Sequence, residues 1–212
     1  LFWKLMEAYL SACPSGSFTL RHLGNRLADF TSTWDGLDEV RRRWFSALIR
    51  LEYAHMEVFE AAEWEAVTPQ QFATAELGLQ PHVKLLRLDV PVDLCRAWQT
   101  FSPVEDGVTH LAVWRPENGS VAECRLDSVE FILLERLRAG GTMESLFQEP
   151  LETEPSPEDV SQWFANWQSR RWIALTPSVQ SVDFPVVHHR PLRNVDWSRI
   201  DKMGSQARAM ED

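Results

Sequence analysis

Residues 109–126 read THLAVWRPENGSVAECRL, two runs of strand-forming residues on either side of Pro116-Glu117-Asn118-Gly119-Ser120. The Asn118-Gly119 pair marks a hairpin, because both residue types tolerate the positive φ that such turns require. Residues 109–115 and 121–126 are therefore expected to pair. Side chains alternate along an extended chain, so in the second run Ala122, Cys124 and Leu126 share one face and Val121, Glu123 and Arg125 the other. The first face suits a core, and the second is expected to be exposed.

Residues 83–92, rich in Val and Leu, supply a further strand, and residues 93–101 look like a helical excursion before the hairpin. Three helices should follow it. Asp127 can cap the first, with Glu130 at the third helical position, a buried stripe of Val129, Ile132, Leu133 and Leu137, and an end at Gly140-Gly141. Thr142 can cap a short second helix through Phe147. Ser156-Pro157-Glu158-Asp159 is a start signal for the third: a capping Ser, a first-turn Pro, and acids at the positive end of the helix dipole. Val160, Trp163, Phe164 and Trp167 then form one face, and residues 172–175 could add a terminal strand.

The first ~60 residues read as helices. Leu5 and Leu10 mark one, the pattern resumes over residues 18–30, and residues 38–60 form a third with Val40, Trp44, Leu48, Leu51, His55 and Phe59 as an apolar stripe facing the first two. Thr68-Pro69-Gln70-Gln71 announces a short fourth helix ending near Gly78. The expected class is α+β: a helical bundle over residues 1–80, a winged-helix-like domain of three strands and three helices over 81–176, and an extension over 177–212 without convincing period.

Composition narrows the function classes. The formal charge is -10 and the pI about 5.1, which opposes nucleic-acid binding that depends on clustered Lys and Arg. No apolar run is long enough to span a bilayer, and no signal-peptide pattern opens the chain, so a cytoplasmic location is expected. Cys13, Cys95 and Cys124 are far apart and show no CxxC spacing, so they read as reduced thiols, not as a disulfide framework or zinc site. No nucleophile elbow, phosphate loop or dinucleotide fingerprint occurs.

Three sharper possibilities can be weighed. Glu52 and His55 form half of a di-iron bundle motif, but the other half is missing. His188-His189 would point to opposite faces of an extended chain, so one metal would rarely take both. The last three helices could be a helix-turn-helix with residues 160–172 as recognition helix, but residues 142–172 carry six acids against two bases, and the acids open that helix where phosphates would lie. The same architecture can instead hold an extended peptide beside the wing, with Val121, Glu123 and Arg125 on one side and Val160, Phe164, Trp167, Arg170 and Arg171 on the other. Arg would suit acidic side chains and Trp apolar ones. At least two of Trp163, Phe164 and Trp167 are nevertheless expected to be core.

Three motifs carry a resemblance. They are Leu51-Glu52-Tyr53-Ala54 with Glu57-Val58-Phe59-Glu60-Ala61, then Leu79-Gln80-Pro81-His82-Val83-Lys84-Leu85-Leu86-Arg87-Leu88, then Pro91-Val92 with Trp98. In this order they resemble the HvfC/BufC family of bacterial peptide-maturation proteins, with Gln80-Pro81-His82 standing where that family usually has His-Pro-Ser. The likeness spans roughly residues 1–175. It implies an N-terminal helical domain and a PqqD-type precursor recognition element. It also implies a non-catalytic subunit without a cofactor of its own, in a heterodimer with a TIM-barrel multinuclear non-haem iron oxidase. This subunit would bind the leader of a ribosomally made precursor so that the precursor's cysteines reach the partner's iron. By that resemblance, residues 121–126 and 160–171 line the leader groove. A DNA-binding regulator and a di-iron helical enzyme are the rival expectations.

Overall fold

The structure, a computed structural model, describes residues 1–13, 24–68, 70–72, 74–94 and 107–176. The expectations for Cys95, Trp98, His188-His189 and the 177–212 extension lie outside them, as do parts of the second helix and of the 93–101 excursion.

The order is α1 (Phe2–Ala12), α2 (Leu27–Thr33), α3 (Glu39–Glu60), β1 (Leu77–Leu79), β2 (Val83–Leu88), β3 (Thr109–Trp114), β4 (Ala122–Arg125), α4 (Ser128–Ala139), α5 (Pro157–Ser169) and β5 (Ile173–Leu175), with 3-10 turns at Val92–Leu94 and Ser145–Phe147. The class is α+β. No described helix is long and apolar enough to cross a membrane.

The strands form an antiparallel sheet in the order β2-β3-β4, and β1 pairs separately with β5. The hairpin forms where the Asn-Gly pair placed it, but only Gly119 takes a positive φ, of 75°. Asn118 works through its side chain, accepting from the Ser120 N–H and hydroxyl. Local capping is as the sequence reads: Asp127 accepts from the Val129 N–H at α4, Ser156 accepts from the Asp159 N–H at α5, and Gly140 closes α4 at φ 83°.

The sheet is covered on both faces, which is why its strands are so apolar. On one side Leu88, Leu111 and Val113 pack against Trp44, Ala47, Leu51, Ala54 and Val58 of α3. On the other, Val83, Leu85, Ala112 and Trp114 join Val129, Leu133, Leu134 and Leu137 of α4 and Trp167 of α5.

Two expectations are corrected here. The α3 helix does pack on α2, as expected, with the Ser46 hydroxyl donating to the Ala28 carbonyl at 2.9 Å, but the stripe through Trp44 and Leu51 turns toward the sheet and leaves Val40 and Phe59 exposed. Small residues, Ala47 and Ala54, let the strands approach the helix there, a signal that large apolar side chains alone do not carry. Residues 1–177 consequently form one compact unit with no break in packing near residue 80. Second, the described residues from Thr68 to Glu76 form turns, not a fourth helix. Gln71 does accept from the Thr68 N–H and hydroxyl. Extended chain follows at once because Leu77 and Leu79 are buried in the main core and β1 is tied to β5.

Trp167 is fully buried, and its indole N–H donates to the Glu130 carboxylate at 2.9 Å. Truncating it to Ala should cost about 3–5 kcal/mol, whereas Trp167→Phe, which mainly strands the Glu130 acceptor, should cost about 1–3 kcal/mol. Urea unfolding of both variants measures the two losses.

Candidate functional site: the outer edge of β4

Strand register determines what β4 offers. Leu111 lies opposite Arg125 and Ala112 opposite Cys124, while the Leu126 N–H donates to the His110 carbonyl. The main-chain groups of Ala122, Cys124 and Leu126 therefore point into the ladder, and those of Glu123 and Arg125 point to the outer edge, because bonded pairs alternate in an antiparallel sheet. No described strand takes up that edge.

The side chains of the expected groove residues divide between two faces. Val121 packs on the core beneath α3. Glu123 pairs with His55 of α3 at 3.1 Å. Arg125 grips Asp93 in a two-point contact, Nε to Oδ2 at 2.7 Å and Nη2 to Oδ1 at 3.0 Å. These three thus face α3 and the turn before the 95–106 segment, and the expectation that their side chains share a groove with α5 is corrected. The helical unit, read as a separate domain, covers that face of the sheet.

The face toward α5 carries Ala122 and Cys124. Arg170, just past the end of α5, lies 5.0 Å from the centroids of both Trp114 and Trp172, and donates to the Cys124 sulfur at 3.1 Å. Burial pushes the Cys124 thiol pKa up, with the Arg170 charge opposing. A thiol held protonated is a poor nucleophile. Burial likewise raises the Glu130 carboxyl, against the bonds from Trp167 and the Asp127 N–H and the Arg170 charge.

The remaining expected residues spread along α5. Trp167 is core and unavailable to a ligand. Phe164 is half-buried against Phe72 and Trp167. Val160 lines a separate cleft at the helix start, about 15 Å from Arg170 at 1.5 Å per residue. Arg171 bonds Glu117 of the hairpin at 2.7 Å. It stands at φ 57°, the one described non-glycine residue with positive φ. The Arg171 N–H reaches the Gln168 carbonyl and the Trp172 N–H the Trp167 carbonyl, a Schellman ending in which glycine is the usual occupant.

Sequence reasoning missed Asp93, whose partner Arg125 lies 32 residues away, and the platform that Trp114 and Trp172 form across 58 residues. It also missed the joint at Gln80-Pro81-His82. There the Gln80 amide clamps the Trp64 main chain, accepting from its N–H at 2.9 Å and donating to its carbonyl at 3.0 Å. His82 is buried with Nδ1 lacking any hydrogen-bond partner.

Glu52 is exposed and His55 is engaged by Glu123. Among the described residues no three His, Cys, Asp or Glu come together as a metal site. The sequence matches no protein-family model and no curated protein.

Two tests follow from this geometry. His82 is held neutral: burial lowers its pKa, Arg115 and Arg171 lower it further, and Glu63 opposes them. Its contribution to stability is complete above the unfolded His value near 6.5 and is lost as pH falls toward the depressed folded value. His110, also lowered by burial, acts in the same sense. Chemical denaturation at pH 7.5 and pH 5 should show the native chain weakening with acid, and His82→Gln should shrink that difference. Separately, Arg171→Gly should relieve the left-handed strain and raise stability by up to about 1 kcal/mol, as read from the thermal midpoint.

Proposed function

We propose that this chain is a precursor-recognition subunit, holding the leader of a ribosomally made peptide as an added strand on β4 while a partner enzyme modifies the peptide's cysteines. The outer edge of β4 carries the reading: main-chain donors and acceptors at Glu123 and Arg125 suit an extended peptide of any sequence. The order of β2, β3 and β4 followed by α4, a 3-10 turn and α5 supports a PqqD-type winged-helix arrangement. The three-motif resemblance to the HvfC/BufC proteins supports a cytoplasmic heterodimer with a TIM-barrel multinuclear iron oxidase, the iron belonging to that partner. On this reading the chain itself performs no chemistry and needs no cofactor.

The rivals have less support. As a DNA reader, α5 would enter the groove with no Lys or Arg of its own and with Glu158 and Asp159 leading. As a di-iron enzyme, the chain would have to release His55 from Glu123.

The test is binding of the purified chain to a TIM-barrel iron oxidase and a cysteine-bearing precursor sought among its neighbouring genes. Binding of neither overturns the reading. Strand addition makes a finer prediction. Glu123→Pro removes an outward N–H without touching the β3 ladder and should weaken precursor binding about tenfold or more, whereas Glu123→Ala keeps that donor and should bind nearly as the native chain does. Equal binding by both, in proteins with intact melting curves, would sink the strand-addition mode.

A further inference from the structure

The opposite end of α5 carries different chemistry. Gln148 to Ser156 loops away from the 3-10 turn and returns to the α5 cap, enclosing an open cleft of about 630 Å³. Phe147, Leu151, Pro155 and Val160 give it apolar walls, and Glu149 and Glu154 stand at its rim. Phe147 is 41% exposed although its neighbour Leu146 is buried in the core, so a large apolar ring is held out over the cleft.

The cleft is built, not merely left over. Arg136 of α4 donates to three loop carbonyls, those of Leu146 at 2.6 Å, Glu149 at 3.0 Å and Pro150 at 3.3 Å. Pro150, Pro155 and Pro157 fix φ along the same wall. A site stiffened in this way pays little ordering entropy when occupied.

Its charge is one-sided. Residues 142–169 hold Glu144, Glu149, Glu152, Glu154, Glu158 and Asp159 and no Lys, Arg or His. Arg136 braces the loop from behind, its donors directed at the carbonyls with the Glu149 carboxylate at 3.8 Å. Among the described residues Glu144, Glu152, Glu154 and Glu158 form no ion pair. A second copy of this chain would bring the same acids against these, and nucleic acid would be repelled, while a basic polypeptide would be attracted and oriented.

We propose that this cleft docks a Lys/Arg-rich segment of another protein, which inserts one apolar side chain between Phe147 and Val160 and sets its bases against Glu149 and Glu154. The site is independent of the β4 edge, so either can fail without the other.

The experiment titrates the full chain with three labelled hexapeptides: Lys-Arg-Leu-Phe-Arg-Lys, the same peptide with Gly-Gly at its centre, and Glu-Glu-Leu-Phe-Glu-Glu. The basic anchored peptide should bind best, by about tenfold over either control, and should weaken as salt is raised. Reversal of the rim with Glu149→Lys and Glu154→Lys, at exposed positions where the fold should persist, should exchange the preference toward the acidic peptide. The proposal is overturned if the anchorless basic peptide binds equally well, if rim reversal leaves the order unchanged, or if no peptide binds. It is overturned equally if sedimentation shows the cleft buried in a self-dimer that rim reversal dissolves.

Discussion

The bond from the Trp167 indole to the buried Glu130 carboxylate holds α4 and α5 in their relative places, and much of the second half of the chain depends on it. A carboxylate in such a position carries a desolvation penalty, visible in its raised pKa, and loses most if its partner is removed. One residue past α5, Arg170 joins the same network through its charge, its two tryptophan rings and the Cys124 sulfur. The turn out of α5 therefore ties α4, β3, β4 and β5 together. The left-handed Arg171 at that turn directs the chain into β5 and its side chain onto the hairpin.

With α4 and α5 placed on one face and α3 on the other, the three-stranded sheet has little freedom left except at its margins. Both faces are apolar and covered, so the exposed chemistry of β4 lies in its main chain, while its charged side chains are taken up by His55 and Asp93. These pairs are partly exposed and contribute modestly to stability. Their consequence is geometric: they direct the Glu123 and Arg125 side chains toward α3 and the turn at Asp93.

The two ends of α5 then differ in kind. The C-terminal end is aromatic and cationic and lies beside β4. The N-terminal end is acidic and opens on a proline-walled cleft. One short helix can present both because its middle, at Trp167 and Phe164, is anchored in the core.

Local features of this architecture were legible along the chain: the hairpin, the caps at Asp127 and Ser156, the end of α4 at Gly140, and strands dense in Val and Leu. Each rests on backbone geometry or on hydrogen bonds between residues two to four apart, so sequence alone suffices. Val121, Glu123 and Arg125 were rightly placed on one face, but which partner that face meets was not legible. It depends on α3, some seventy residues earlier, closing onto the sheet through Ala47 and Ala54. The turn in place of a fourth helix, and which of the three aromatic residues of α5 is fully buried, were likewise decided by packing. Residues far apart in the chain compete there for the same core, and no local pattern records which of them wins.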